Sequence, residues 1–337
     1  MVIILRVGEL FLKSTKTRRR FENLLIQNLR EVLHGIKFEL EKERGRIYLS
    51  TKSRRALDRL TKVPGIVSLS PAVTAGPELK DIVQTTTKFA SKFLKPGMSF
   101  AVRARVVGKH PFTADELNRV VGASILQALP RTTVNLSHPS LTVEIEVRGG
   151  KAYVFCERIK GAGGLPVGSE GEVVAICSGR AEEVLATWLS LKRGCSVHPV
   201  VLSHQPQRVL EQLRKLGQPM NGMLVRRRVV DGTIEGAAIA LRVAGELGRK
   251  MGALAVVSAE LLENLPPDLS QLDSFCPLPV LRPLAGMDLE LARTCASETG
   301  LQLEAPPPLK PAELSPAQIE ETAKELLKLA REFRLKP

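Results

Sequence analysis

Residues 172–191, EVVAICSGRAEEVLATWLSL, leave this chain few ways to fold. Val173, Val174, Ala175, Ile176 and Cys177 form an apolar run the length of one buried strand, and Ser178-Gly179 breaks it. From Ala181 the spacing of Val184, Leu185, Trp188 and Leu191 predicts a helix with one apolar face. Strand, tight turn and helix in this order are the unit of a doubly wound parallel sheet. A small-residue turn that feeds a helix N-terminus leaves backbone N–H groups unpaired and pointing outward, which suits phosphate. The residues of this turn oppose that use. Arg180 puts a bulky side chain where a second glycine would admit phosphate, and Glu182 and Glu183 set two negative charges in the first helical turn, where they suit the helix dipole and repel a nucleotide.

The charge of the chain is uneven. Of its net +14, residues 1–165 carry 29 Lys and Arg against 14 Asp and Glu, whereas residues 166–337 carry 20 against 21. A near two-to-one excess confined to one half is the electrostatic footprint of a polyanion binder. Aromatic residues are 4% of the chain, too few to supply many stacking platforms for single-stranded bases, so a folded, duplex-containing RNA held by its backbone is the expected partner. Cys156, Cys177, Cys195, Cys276 and Cys295 stand singly with no CxxC, which predicts reduced thiols, a cytoplasmic location and no zinc. The five histidines, His34, His110, His138, His198 and His204, have no metal-ligand spacing, so no metal site is expected. No stretch reads as a membrane span, and MVIILRVGELFLK reads as a strand rather than a signal peptide.

In chain order, Val2–Val7 predicts a strand and 13–35 a helix with Phe21, Leu24, Leu25, Asn28, Leu29, Val32 and Leu33 at helical spacing, behind the basic cluster Lys16, Arg18, Arg19 and Arg20. Paired strands at 37–40 and 46–50, a helix at 54–62 and a strand at 67–69 complete a βαββαβ order, the ferredoxin-like arrangement. A second unit follows with a helix at 78–95, a strand at 99–107, a helix at 113–129 opened by Thr113 and Glu116, and a hairpin at 142–147 and 152–157. Residues 160–171, KGAGGLPVGSEG, read as a linker. Beyond the central helix, strands are expected at 197–202, 254–257 and around 280–284, with helices at 207–216 and 234–250. After the proline-rich stretch APPPLKPAELSP comes a helix capped by Ser315, whose stripe Ile319, Ala323, Leu326, Leu327 and Ala330 is expected to dock on the chain's own surface or else to contact a partner.

Four stretches in collinear order, GELFLKSTKTRRRFENLL, FAVRARVVGKHPFTADELNRVVGASI, GAGGLPVG and KRGCSVHPV, resemble the tRNA 4-thiouridine synthetases, a family of tRNA sulfurtransferases. The resemblance covers residues 1–305 and implies an α/β and α+β multidomain chain. Its parts would be a ferredoxin-like domain at 1–72, a tRNA-gripping THUMP domain at 73–165, a doubly wound PP-loop domain at 166–305 that adenylates a tRNA uridine with ATP and Mg, and a linker with a C-terminal helix at 306–337. Expected RNA-binding residues are Lys13, Arg18, Arg19, Arg20, Arg103, Arg105, Lys109 and His110, the last four on a surface that includes Phe112.

The nucleotide site departs from the family at each element. The family loop SGGxDS is here Ser178, Gly179, Arg180, Ala181, Glu182 and Glu183, with only the first two positions kept. In the helix IEGAAIALRVAGELGRKMG, Arg242 is retained and the lysine position is Ala237; the following strand keeps Glu260 alone of TGE; and the late family cysteine has no counterpart in LQLEAPPPLK. Two functions follow. The first is a catalytically inactive tRNA binder, working in or beside tRNA modification with a modifying enzyme as partner and with no cofactor. The alternative is an active ATP-dependent sulfurtransferase that makes 4-thiouridine through an altered loop and uses ATP and Mg. Either is open to a homodimer.

Overall fold

The structure, a computed structural model, describes residues 1–8, 14–43, 45–227, 229–305, 309–310 and 315–337. Its first half runs β1 (Val2–Val7), α1 (Thr15–Val32), β2 (Phe38–Glu43), β3 (Arg46–Thr51), α2 (Arg55–Thr61), β4 (Ile66–Ala75), α3 (Leu79–Ala90), β5 (Ser99–Val106), α4 (Ala114–Ala128), β6 (Thr133–Val134), β7 (Leu141–Arg148), β8 (Lys151–Phe155) and β9 (Ile159–Lys160). The second half runs β10 (Glu172–Cys177), α5 (Ala181–Arg193), β11 (Ser196–Leu202), α6 (Pro206–Arg214), β12 (Met220–Val225), α7 (Ile234–Met251), β13 (Ala255–Val257), α8 (Leu269–Asp273), β14 (Val280–Leu281), α9 (Leu289–Ala296), α10 (Pro316–Lys328) and β15 (Arg331–Leu335). Two compact units result: one holds Met1–Val7, Ile36–Ala56 and Val67–Lys160, and the other holds Gly8–Gly35, Leu57–Ile66 and Gly161–Pro337.

The first unit is built on one sheet of order β2-β3-β1-β4-β8-β7-β5-β6, with β9 beside β4. The strand expected at 67–69 is ten residues long, and this length lets it pair with the ferredoxin-like strands on one side and with β8 on the other. α3 and α4 cover one face through Ile82, Leu117, Val121 and Ile125, which pack against Phe100, Val143 and Ile145. The opposite face closes on itself. β3 and β8 lie three strands apart, about 14 Å across a flat sheet, yet the Tyr48 and Tyr153 rings stack with centroids 4.3 Å apart. Arg46 on β3 meets Glu146 on β7 at 3.2 Å, and Lys151 on β8 meets Glu41 on β2 at 2.8 Å. The curl encloses a small core of Ile4, Tyr48, Ala72, Tyr153 and Phe155. Arg6 is buried beside it, donates to Ser70 Oγ at 2.9 Å and lies 5.0 Å over the Phe155 ring. Burial, with Arg158 and Arg46 nearby, lowers its pKa to about 10.

The second unit carries a sheet of order β14-β13-β10-β11-β12-β15, parallel except for β15. β10 is central and buried on both faces, which is why its sequence is a continuous apolar run. Val173, Ala175 and Cys177 pack toward α5, α6 and α9, whereas Val174 and Ile176 pack toward α7 and α10. The chain winds β10, β11, β12 to one side and returns to β13 on the other, so the turn after β10 sits at the switch point where open α/β sheets bind ligands. α10 docks on α7 through Ile319, Ala323 and Leu326, as the apolar stripe requires.

The proline-rich stretch before α10 lies largely outside the described residues. Residues 160–171 are no loose tether: Gly163 exchanges backbone bonds with Gly65 and Ile66, Leu165 donates to the Lys192 carbonyl, and Gly168 donates to that of Gly194. β12, α9 and β15 have no counterpart among the expected elements. The Asn221-Gly222 pair hides β12 from a periodicity reading, but Gly222 is required because a Cβ there would run into the Pro199 carbonyl and the Phe333 ring.

The curled core yields a paired test. Tyr48 is 2% exposed, and its hydroxyl has no hydrogen-bond partner among the described residues. Tyr48→Ala is expected to cost about 3–5 kcal/mol through loss of the stacked ring. Tyr48→Phe is expected to be neutral or to raise the melting temperature, because it removes an unmet polar group. Calorimetric unfolding of the two variants checks both.

Candidate functional site

β10 ends at Cys177, and the chain turns through Ser178, Gly179 and Arg180 before α5 begins. Gly179 has φ +120°, a conformation open mainly to glycine, and it lets successive backbone N–H groups converge on one point. Such a convergence is an anion nest. The anion in it belongs to the chain. Glu183, at the third position of α5, turns its carboxylate back and accepts from the backbone N–H groups of Ser178 (2.5 Å), Gly179 (3.1 Å) and Arg180 (3.2 Å). It accepts further from the Ser178 hydroxyl (2.7 Å) and Arg180 Nε (3.0 Å). Only 2% of Glu183 is exposed.

Arg180 therefore does not stand across the loop as a simple plug. Its guanidinium is held by Glu183 and lies 3.5 Å from Glu182. Burial by itself lowers the Arg180 pKa, but Glu183, Glu182 and Glu260 outweigh it, and the net shift is upward. Glu182 is displaced the other way in stability: burial pushes its carboxyl up, and Arg180 offsets only part of that. The Cys177 thiol is fully buried and is pushed far above its ordinary range by burial, with Glu183 adding to the shift, so it behaves as a small apolar side chain.

Arg180 also lies between two cavities. On one side is a cleft of about 340 Å³ at the carboxyl ends of the strands, bounded by Ser203, His204, Arg208 and Asp231; on the other is a void of about 20 Å³ bounded by Ala237, Ser258 and Glu260. Glu260 accepts from the Ser258 hydroxyl at 2.7 Å and lies 3.2 Å from Arg282, which is also held by Asp273. Arg242 is elsewhere. It pairs with Glu246 at 3.3 Å and with Glu320 of α10 at 2.9 Å, so it fastens the C-terminal helix instead of lining the cleft. The retained Arg242 therefore cannot be read as part of a nucleotide site from its position in sequence. The Glu183 contact did have a sequence signal: a carboxylate at the third helical position is the back-reaching half of a capping box. The Arg282 pairing had none.

The expected RNA-binding residues fall in both units. In the first, Arg103 and Arg105 point from alternate positions of β5 to the same exposed face. Their register neighbours on β7 are Glu144 and Glu146, but these carboxylates bond Arg158 at 2.7 Å and Arg46 at 3.2 Å. Lys109 is exposed in the loop after β5, and His110 is half-buried with Nε2 3.3 Å from the Val107 carbonyl. Phe112, expected on that surface, is a core residue at 5% exposure packed with Leu117 and Phe100. In the second unit, Arg18 and Arg19 lie in the first turns of α1, with Arg18 4.0 Å from Glu22. Arg20 donates to the Ser169 carbonyl at 2.9 Å and lies over the Phe21 ring, so it anchors residues 160–171. Lys13 lies outside the described residues.

Comparison with known proteins places this architecture. Residues 2–70 match the ThiI ferredoxin-like domain and residues 77–157 the THUMP domain. The chain is 35% identical over 341 residues to a probable tRNA sulfurtransferase of Thermococcus kodakarensis, a match covering 89% of this chain and 87% of that one. The chain belongs to the tRNA sulfurtransferase family. A probable tRNA sulfurtransferase of Methanobrevibacter smithii is 31% identical, with 87% and 84% covered. Against that of Methanosarcina acetivorans the identity is 37%, and the match spans 61% of this chain and about half, 52%, of the relative. Among solved structures, PH1313 from Pyrococcus horikoshii superposes with a TM-score of 0.72 at 30% identity, covering 89% of this chain and 99% of that one. A 4-thiouridine synthetase, solved as an RNA complex with bound ATP, superposes with a TM-score of 0.81 over 99% of both chains; at 23% identity this likeness is one of fold.

Two variants probe the loop. Glu183→Ala strips one acceptor from five donors, and leaving buried N–H groups unpaired is expected to cost about 2–4 kcal/mol. Part of the loss should return in sulfate or phosphate, read as a rise in melting temperature absent from the parent chain. For Glu182 the folded pKa is raised, so the native state takes up a proton; the stability it contributes is full below its unfolded value and is lost as pH rises through the folded one. Glu182→Gln should therefore stabilise the chain at pH 7, and the gain should vanish below about pH 4, as measured by thermal unfolding across that range.

Proposed function

We propose that this family member binds tRNA, acts in or beside tRNA modification, and carries no ATP chemistry. The observation that supports it most is the Glu183 carboxylate in the nest after β10. A triphosphate needs the same N–H groups, and it brings about three to four negative charges to a place where expelling Glu183 would leave two carboxylates facing it. The residues present therefore do not fit ATP. Ala237 adds no cation at the void beside Arg180. The packed faces of β10 need no ligand to hold them.

For tRNA, the support is the THUMP match, the names of the relatives and the basic excess of residues 1–165. In this reading, residues 1–72 and 73–165 form the ferredoxin-like and THUMP domains that hold tRNA, 166–305 form a nucleotide-binding fold without nucleotide, and 306–337 close it. Arg103, Arg105 and Lys109 in the first unit, with His110 beside Lys109, contact phosphates, as do Arg18 and Arg19 in the second, and the protein works in the cytoplasm with an active modifying enzyme. The second reading, an active ATP-dependent sulfurtransferase, requires Glu183 to leave its five donors before ATP enters.

Two measurements test the proposal. Titration calorimetry with ATP and Mg is expected to give no binding with or without tRNA; pyrophosphate release from ATP in the presence of tRNA overturns it in favour of the second reading. Affinity for tRNA is expected to fall about 10³-fold between 50 and 200 mM salt if about six phosphates are contacted. Arg103→Ala, Arg105→Ala and Lys109→Ala combined should lower the salt slope by about 3. Salt-independent binding overturns the RNA assignment.

A further inference from the structure

The first unit has a surface feature lined by none of the residues proposed above to contact tRNA. Between α3 and α4 runs an open groove of about 910 Å³. Its floor is apolar, formed by Leu79, Val83, Val120 and Leu129. The Thr87 and Ser124 hydroxyls bond each other across it at 2.9 Å, so two of its polar groups are already satisfied. Lys80 and Lys88, two turns apart on α3, stand along one side, and among the described residues no Asp or Glu lines the groove. Val120, like Leu126 of the same helix, leaves more than a third of its surface exposed, and Val120 lines the groove.

The spacing specifies the shape of an occupant. α3 with its C-cap Ser91 lines the groove with residues 79, 83, 87 and 91 and α4 with 120, 124 and 128, two rows at four-residue intervals. Rows of that spacing accept the corresponding row of another helix. From 79 to 91 the groove is about 18 Å long, three turns of a helix. A strand ligand would need a free sheet edge, which the groove does not present. An RNA strand would need phosphate-binding cations along its length and aromatic platforms, and among the described residues no aromatic side chain lines the groove.

The geometry points to a docking site for an acidic amphipathic helix of a protein partner, its apolar face on Leu79, Val83, Val120 and Leu129 and its carboxylates against Lys80 and Lys88. Charge complementarity selects the partner: the groove attracts a helix whose apolar stripe is flanked by Asp or Glu and repels one flanked by Lys or Arg.

The test uses the full chain and two labelled synthetic helices of about 14 residues, with leucine at positions i, i+3, i+4 and i+7 and either glutamate or lysine elsewhere. Fluorescence anisotropy is expected to show the Leu/Glu helix binding about tenfold more tightly than the Leu/Lys helix, the sum of two modest charge contacts. Lys80→Glu with Lys88→Glu, both on the surface, should reverse that preference, and Val83→Glu should abolish binding of the Leu/Glu helix. Equal binding of both helices, or a preference unchanged by the charge swap, overturns the proposal. So does a charge-swapped chain that loses tRNA while the parent binds neither helix, which would assign the groove to RNA.

Discussion

One carboxylate holds the centre of the second unit together. A turn at the end of a buried parallel strand leaves several N–H groups aimed at one point, and buried donors of that kind must be satisfied. Glu183 satisfies three of them, and a hydroxyl and a guanidinium in addition. An anion supplied by the chain loses no translational freedom on binding, so a ligand from solution competes against a group that is always present. Arg180 then balances Glu183, Glu182 and, through space, Glu260, and the loop becomes a closed electrostatic unit.

This unit depends on the sheet around it. β10 is buried on both faces, so the direction in which its turn emerges is set by two independent packing layers. Arg282 and Arg242 extend the same logic outward: one links Glu260 to Asp273, the other links α7 to α10. These two cations hold helices and loops in place. In the first unit the equivalent constraint is the curl that brings Tyr48 onto Tyr153, where a charged rim of Arg46, Glu146, Lys151 and Glu41 closes the small apolar core.

Much of the fold was legible because period and punctuation are local properties. The run from Val173 to Cys177 and the Ser315 cap of α10 each announce themselves within a few residues. The elements that were missed are those whose stability comes from partners far away. β12 carries Asn221 and Gly222, which break the strand pattern, yet it lies between β11 and β15. β15 is five residues rich in charge, placed by antiparallel pairing across more than a hundred residues. Residues 160–171 look like a tether by composition, but their backbone groups are taken up by other segments.

The same division runs through the site. By itself the sequence determined that a strand, a tight turn and a helix occur at 172–191, that the turn lacks a second glycine, and that the positive charge lies in the first half, because these follow from residue type and spacing alone. What the side chains of that turn do was decided by tertiary structure. Glu183 looked like a repelling charge and is the bound anion; Arg180 looked like an obstruction and is the counter-ion; Arg242 looked like a site residue and holds α10; Arg20 looked like an RNA contact and anchors a backbone carbonyl. A long charged side chain reaches several ångströms in many directions, and only the packed fold selects which partner lies within that reach.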